Sequence, residues 1–180
     1  MITNTKGELI DIFNMKDEDI TINDIVMALP NICRYGGRIQ YHYSVAQHAV
    51  ELARWLTKQG KQHLVPHALL HDACEAYIGD IIYPIKIQMP QFLELEDKIT
   101  NLVYKKYGVD PDLHKEFDFY DKGIVINEMK ALGMYEREGH LATHATALKD
   151  LEIEVFSISF ARAEYVAELR RCFGDEIFRD

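Results

Sequence analysis

One helical stretch constrains the fold of this chain more than any other, because it mixes core residues with charged ones. It reads HALLHDACEAYIGD over residues 67–80 and carries His71, Asp72 and Glu75 in its middle. Its apolar positions would place it in the core, where an unpaired charge is costly. Residues three or four apart share one side of a helix, so Glu75 lies on the same side as the His-Asp pair. A divalent cation bound there would compensate for burying imidazole and carboxylates together.

A single metal ion needs more ligands than an adjacent histidine and aspartate can supply, so other helices must contribute. His48 interrupts the apolar face of the preceding helical pattern. Asp121 lies inside another long helical pattern, EFDFYDKGIVINEMKALGMYE. A lone buried histidine is more often a hydrogen-bonded core residue than a ligand. The joint pattern of two histidines and two aspartates on separate helices reverses that expectation.

The hydrophobic periodicity predicts an all-α fold, a compact helical bundle that forms one domain over residues 1–180. Ser44 is expected to cap a helix that Gly60 stops, and Gly79 to close the helix of the opening stretch. The segment EIEVFSISF alternates like a strand, but its flanking helix formers favour a helix. The predicted helices span residues 22–29, 44–59, 62–78, 91–107, 113–137 and 148–172.

Composition narrows the classes of function. A formal net charge of −9 disfavours broad nucleic-acid binding, which needs a cationic surface, although a local cationic pocket can still bind a small anion. No apolar run reaches membrane-spanning length, and the polar N-terminal stretch does not resemble a signal peptide. Three cysteines without zinc-like spacing fit a reducing compartment. We therefore expect a cytoplasmic protein that binds neither membranes nor nucleic acid.

The order of the candidate ligands resembles that of the HD-domain phosphohydrolases. A first histidine lies in SVAQHA, an adjacent His-Asp pair in LLHDACEAYIGD and a later aspartate in DFYDKGIVINEMKAL, and ALPNICRYGG precedes all three. The likeness spans residues 25–132 and is closer to small bacterial 5′-deoxynucleotidases and phage-encoded dATP triphosphohydrolases than to other members. It implies an HD-domain helical bundle that assembles as a homo-oligomer.

The resemblance implies that His48, His71, Asp72 and Asp121 bind one divalent metal ion. Two imidazoles with two carboxylates suit a transition metal such as Zn, Mn, Co or Fe rather than Ca. Glu75 would orient or deprotonate a water molecule, or return a proton to the leaving group. Glu75 and Asp72 are therefore the expected catalytic residues. A second ion such as Mg would bridge Glu75 and the substrate phosphates.

The resemblance also implies a binding site for a deoxynucleotide beside the metal. Asp80 would bind the sugar 3′-hydroxyl, and Arg34 would clamp phosphate with its guanidinium fork. Tyr35 would lie near the nucleoside, and Gly36 would leave room for the base or let the backbone approach it. Relatives commonly carry a lysine where this chain has Asp118. The other cations expected to meet phosphate are Lys86, Arg38 and Lys122.

Several alternatives stay open at this point. Glu75 can be the ion-pair partner of Arg34, and Asp80 can be a turn or capping residue. The expected function is a dATP triphosphohydrolase that releases deoxynucleoside and triphosphate, and the alternative with the same site is a 5′-deoxynucleotidase acting on dNMPs. Phosphodiester hydrolysis ranks lower, because two-metal members usually need extra histidines where only His114 lies. A non-catalytic nucleotide-binding HD module is the remaining alternative.

Overall fold

Helices make up most of the described residues, which confirms the predicted all-α class. The computed structural model describes residues 1–134 and 145–179. A two-stranded antiparallel hairpin, β1 (Ile2–Thr3) with β2 (Leu9–Ile10), precedes the helices. The α-helices of the described residues are α1 (Ile22–Ala28), α2 (Val45–Lys58), α3 (Val65–Leu70), α4 (Glu75–Ile78), α5 (Tyr83–Lys86), α6 (Pro90–Tyr107), α7 (His114–Ala131) and α8 (Ile158–Phe173). Within the described part of the chain, each helix is too short or too polar to cross a bilayer.

Helix α2 is the centre of the domain. The hydroxyl of Ser44 accepts a hydrogen bond from the Gln47 amide at 3.1 Å, so this residue caps the helix as predicted. Eleven of the 14 residues of α2 are buried, which means that other elements surround it on all sides. It packs mainly against α3 and α8. His48 consequently lies in the interior, with no exposed surface.

The predicted helix over residues 62–78 is wrong as a continuous element. A 3₁₀ turn, Gln62–Leu64, leads into α3, and four turn residues then separate α3 from α4. In that break the Ala73 amide bonds to the Leu70 carbonyl at 3.2 Å and the Glu75 amide to the Asp72 carbonyl at 3.0 Å. These three-residue spacings tighten the backbone relative to an α-helix. The His-Asp pair therefore lies at a helix break rather than in a helix middle.

Helix α7 is shorter than the predicted 113–137. It ends at Ala131, and Gly133 follows with a φ of 73°, a left-handed conformation that glycine adopts without strain. A Cβ at Gly133 would lie 2.7 Å from the side chain of Gln40, so the same glycine lets the loop before α2 approach. The last residues of the predicted helix, 135–137, lie outside the described part of the chain.

The helix predicted over residues 148–172 is wrong in its first ten residues. Helix α8 begins only at Ile158, with the hydroxyl of Ser157 accepting from the Phe160 amide. The residues before it, 145–157, form an irregular strap over α7 and α2. Side chains of those helices satisfy backbone groups of the strap: Asn127 bonds to two carbonyls and one amide, and Gln47 accepts from the Phe156 amide at 3.2 Å. These bonds replace the ones that a helix would make.

Candidate metal centre

Three of the four predicted metal ligands meet at one point. His48 comes from α2, His71 from the break after α3, and Asp121 from α7. The two Nε2 atoms are 3.3 Å apart, and Oδ1 of Asp121 lies 3.1 Å from Nε2 of His48 and 3.5 Å from Nε2 of His71. These residues are the His-His-Asp group of the described chain that could hold a metal ion. We call them the triad.

The spacing of the triad fits a small divalent ion. Ligands held tetrahedrally at about 2.0–2.1 Å from zinc are about 3.3 Å apart. The three separations in the triad, 3.1, 3.3 and 3.5 Å, bracket that value. Two imidazole nitrogens and a carboxylate oxygen are also donors that zinc, manganese, cobalt and iron accept.

The outer nitrogens of both imidazoles fix which way their lone pairs face. Nδ1 of His71 lies 3.2 Å from the His67 carbonyl and 3.3 Å from the Ala68 carbonyl, and carbonyls only accept, so this nitrogen carries hydrogen. Nδ1 of His48 lies 2.6 Å from Oε1 of Glu128, a carboxylate that also accepts. In the neutral rings, Nε2 of each therefore presents a lone pair to the other. Such a group repels itself unless a cation lies between the lone pairs.

The pKa shifts of the triad residues also favour a bound cation. Burial lowers the pKa of His71, but the carboxylates of Asp72 and Asp121 outweigh burial and hold that pKa well above its ordinary value. Burial likewise raises the pKa of Asp121, yet hydrogen bonds from His48 and His71 bring it well below its usual range. Without a metal, these charges favour the protonated form of His71. A pocket that attracts positive charge in its interior suits a divalent cation.

Asp72, the fourth predicted ligand, lies beside the triad. Its Oδ2 is 3.1 Å from Nε2 of His71 but 4.0 Å from Nε2 of His48. The same oxygen accepts a hydrogen bond from Nη1 of Arg34 at 3.2 Å. Asp72 therefore links the triad to Arg34. Its role as a direct metal ligand stays a prediction.

Arg34, Tyr35 and Gly36 form a tight turn above the triad. The turn spans Arg34–Gly37, and Tyr35 and Gly36 both have a φ of 59°. A non-glycine residue in this region is strained, and such strain often marks a functional site. A Cβ at Gly36 would lie 3.0 Å from the Arg38 guanidinium and 3.3 Å from the Ile82 side chain, so only glycine fits there without displacement.

Glu75 is buried near Asp72 and lacks a partner for one oxygen. It begins α4, its Oε2 has no hydrogen-bond partner within residues 1–134 and 145–179, and Arg34 makes ion pairs with Asp72 and Glu128 instead. Burial, followed by the negative charges of Asp72 and Asp80, raises the pKa of Glu75 well above its usual range. A buried carboxyl that takes up protons easily can exchange one with a substrate or with water.

Asp80 is half-buried just beyond Gly79, which ends α4. Burial raises the pKa of Asp80, and the charges of Asp72 and Arg34 act on it in opposite directions. Gly79, with a φ of 76°, provides the turn that ends the helix. Asp80 therefore follows directly on the helix that begins with Glu75.

The two lysines predicted to meet phosphate are already paired with carboxylates. Nζ of Lys86 lies 2.6 Å from Oε1 of Glu96, and Lys122 bonds to Asp118 on the same face of α7. Asp118, at the position where the resemblance implies a lysine, neutralises a cation instead of providing one. Arg34 is the predicted cation that directly contacts the residues of the metal centre.

Sequence reasoning missed Glu128, a buried carboxylate of the site. It lies on α7 with no exposed surface, where it accepts hydrogen bonds from His48 and from the Tyr35 hydroxyl. Burial raises its pKa, but the charges of Arg34 and His48 lower it below its ordinary value, so the residue is ionised. Glu128 follows Asp121 by seven residues, two helical turns, and therefore lies on the same face. That spacing was the signal in the sequence.

The fold and the triad define a class: a mostly helical protein with a buried His-His-Asp group that could hold a metal ion. No family model matches the chain. The uncharacterized protein YfdR of Escherichia coli strain K12 is 34% identical over 162 residues, which cover 86% of this chain and 89% of YfdR. The chain therefore belongs to the YfdR family. An uncharacterized protein of Rhodobacter capsulatus is 32% identical over 110 residues, or 57% of this chain and 56% of that protein.

Proposed function

We propose that this protein is a metal-dependent phosphohydrolase of deoxynucleotides. The observation that carries the proposal is the triad, whose donor atoms are spaced for one divalent ion. Asp72, beside the triad, pairs with Arg34, and Oε2 of Glu75 is buried without a hydrogen-bond partner among residues 1–134 and 145–179. A divalent ion held by His48, His71 and Asp121, with Asp72 alongside, would polarise phosphoryl oxygens and lower the pKa of water. The residues around it supply the cation and the proton donor that phosphoryl transfer to water requires.

Glu75 is the proposed proton-transferring residue. Water adds to the α-phosphorus, the bond between phosphorus and the 5′-oxygen breaks, and that oxygen needs a proton to leave as a hydroxyl. Burial and the charges of Asp72 and Asp80 raise the pKa of Glu75, which favours the protonated form that can supply this proton. A second ion such as Mg would bind only the ionised form of Glu75, so that ion is an alternative to this role and not part of it.

Arg34 is the proposed phosphate-binding residue. It is nearly buried, with 13% of its side chain exposed, and its Nη1 bonds to Asp72. A guanidinium in that position can donate its other N–H groups to phosphate oxygens while Nη1 stays bonded to Asp72. Tyr35 and Gly36, in the strained turn, would contact the nucleoside, and Asp80 would accept a hydrogen bond from the 3′-hydroxyl.

The number of phosphates divides the proposal into two branches. The sequence resemblance leads to a dATP triphosphohydrolase that releases deoxynucleoside and triphosphate. One structural observation favours the other branch, a 5′-deoxynucleotidase acting on dNMPs. Lys86 and Lys122 are paired with Glu96 and Asp118, so these two predicted cations are less available to a triphosphate tail.

Product analysis with purified protein tests the proposal and separates its branches. Each dNMP and dNTP is incubated with Mn²⁺, Co²⁺, Zn²⁺ or Mg²⁺, with and without a chelator. We expect chelator-sensitive release of deoxynucleoside, accompanied by orthophosphate in one branch and inorganic triphosphate in the other. Asp121→Asn should be inactive, and Glu168→Gln, which alters a buried carboxylate of α8 away from the triad, should be active. Absence of turnover with every metal and substrate would refute the enzymatic proposal.

A further inference from the structure

Glu128 contacts two parts of the site, one with each of its carboxylate oxygens. Its Oε1 lies 2.6 Å from Nδ1 of His48, a member of the triad. Its Oε2 accepts a hydrogen bond from the Tyr35 hydroxyl and lies 3.5 Å from Nε of Arg34. One oxygen therefore holds the triad, and the other holds the Arg34–Gly37 turn.

The connection closes into a circuit through Asp72. Arg34 reaches Oδ2 of Asp72 with Nη1 at 3.2 Å, and that oxygen lies 3.1 Å from Nε2 of His71. The turn is thus tied to one side of the triad through Glu128 and to the other through Asp72. Because a carboxylate is a rigid plane, a displacement of His48 moves the oxygen that holds the turn.

A purely structural ion pair would look different. Glu168 is also buried, at 4% exposure, and it pairs with Arg54 of α2 and Arg171 of α8. Loss of the Glu168 carboxylate would remove only its ion pairs with the two arginines. Glu128, in contrast, bonds to an imidazole whose other nitrogen belongs to the triad, and to a tyrosine whose φ of 59° is strained.

We propose that Glu128 is a positioning residue that orients His48 for the metal ion and links occupancy of the triad to the conformation of the Arg34–Gly37 turn. The inference rests on the metal centre of the proposed function and not on its substrate. Carboxylates that bond to the outer nitrogen of a metal-bound histidine fix its tautomer and its ring orientation. Here the same carboxylate reaches the turn proposed to bind substrate, so the metal ion and the turn would order together.

Zinc affinity of Glu128→Gln tests the first half of the proposal. Glutamine keeps the size of the side chain, but its amide group points N–H bonds at donors, so it cannot hold His48, Tyr35 and Arg34 together. We expect the dissociation constant for Zn²⁺, measured by competition with a chelating dye, to rise about 10–100-fold. The matched control Glu168→Gln should stay within about twofold of the wild type, since it alters a buried carboxylate outside the site.

Hydrogen exchange tests the second half. In the wild type we expect Zn²⁺ to slow exchange of the backbone amides of residues 33–38, and in Glu128→Gln we expect that protection to disappear. Tyr35→Phe serves as a second variant if Glu128→Gln fails to fold, because it removes one bond to Oε2 and leaves the bond to His48 intact. It should bind Zn²⁺ within about threefold of the wild type and lose most of the protection.

The outcomes separate this inference from the proposed function. Unchanged Zn²⁺ affinity in Glu128→Gln, or unchanged protection in Tyr35→Phe, would overturn the inference while leaving the phosphohydrolase intact. A wild type that binds no Zn²⁺ would overturn both the inference and the metal centre. Zn²⁺ binding that depends on Glu128, in a protein that hydrolyses no nucleotide, would support the inference and reject only the proposed activity.

Discussion

At the scale of single residues, the tautomers of two histidines decide what the site can do. The carbonyls of His67 and Ala68 and the carboxylate of Glu128 take the outer hydrogens of both rings. In the neutral rings, the inner nitrogens are left as two lone pairs 3.3 Å apart beside a carboxylate. Two buried lone pairs that face each other without a donor or a cation are unfavourable, so this arrangement is not expected of histidines that only pack in a core.

Replacement of Glu75 tests the proposed proton transfer. Glu75→Gln keeps the shape of the side chain but cannot give up a proton, so we expect kcat to fall by about 100-fold or more while Zn²⁺ binding stays unchanged. Because the protonated form of Glu75 is the active one, the wild-type rate should fall as pH rises through its raised pKa. That limb of the pH–rate profile should vanish in the variant. A variant within about threefold of the wild type would contradict the role.

Glu51 gives a prediction on stability that does not involve catalysis. Burial raises its pKa to about 7 from 4.5. Between these values the folded state holds a proton that the unfolded state has released, so this residue lowers the free energy of unfolding as pH rises through that window. The slope is at most about 1.4 kcal/mol per pH unit.

Urea unfolding measures this effect. The wild type and Glu51→Gln are compared at about pH 4.5, 5.5, 6.5 and 7.5. Glutamine does not ionise, so the variant should gain stability relative to the wild type as pH rises, with most of the gain reached by about pH 7. Parallel stability curves for the two proteins would show that Glu51 does not titrate in this way.

Site residues could be predicted from the sequence only where their order or spacing along the chain gave a signal. His48 could be chosen because it interrupts an apolar helical face, and His71 and Asp121 because their order resembles that of the HD-domain phosphohydrolases; the structure brings the three together. Glu128 carried only a helical spacing, seven residues after Asp121, and lay outside the order of residues that the resemblance provided. The ion pairs of Lys86 and Lys122 depend on side-chain directions that spacing alone does not determine.

At the scale of elements, α7 and the strap over it set the position of Asp121. Gly123 lies in α7 beneath the strap, where an added Cβ would lie 2.6 Å from Leu148 and 3.1 Å from the Thr146 carbonyl. Asn127, one turn further on, bonds to Leu148 and Leu151 of the strap. The glycine is therefore needed for close approach, and the asparagine holds the strap in place.

Gly123→Ala tests this packing. Alanine favours a helix by about 1 kcal/mol, but the overlap with the strap should outweigh that gain and lower the free energy of unfolding by about 1–3 kcal/mol. Leu148→Ala alone should cost about 2–5 kcal/mol. The double variant should lose less than the two changes summed, because the smaller side chain relieves the overlap. Denaturant midpoints that rise in Gly123→Ala would contradict the close approach.

The element boundaries show where sequence reasoning reached its limit. Helices α1, α2 and α6 lie within one residue of their predicted bounds, because apolar periodicity marks them clearly. The break between α3 and α4 left the periodicity intact, because a tighter turn keeps neighbouring residues on nearly the same side. The strap was taken for the start of α8, since bonds from Asn127 and Gln47 are tertiary and leave no local signal.

At the scale of the whole molecule, the triad joins elements that are distant in the chain. His48 lies in α2, Asp121 in α7, and His71 between α3 and α4. An ion bound only by the folded state raises the free energy of unfolding by about 2.7 kcal/mol at a hundredfold excess over its dissociation constant.

The predicted homo-oligomer would add a further, concentration-dependent contribution to stability. Light scattering on a size-exclusion column would reveal whether the oligomer forms.

Thermal unfolding with and without metal checks this consequence. We expect Zn²⁺ or Mn²⁺ to raise the midpoint of the wild type by about 5–10 °C and a chelator to reverse the rise. His71→Ala removes one ligand of the triad and should lose the rise, whereas Glu168→Gln should keep it despite a lower starting midpoint. A rise of equal size in His71→Ala would mean that the ion binds elsewhere.

The most direct measurement of the metal centre is anomalous X-ray scattering from crystals grown with Zn²⁺. We expect one strong peak per chain, within about 2.0–2.3 Å of Nε2 of His48, Nε2 of His71 and an oxygen of Asp121. A fully occupied peak at any other place, or no peak between these three side chains at saturating Zn²⁺, would contradict the metal centre and the function proposed from it.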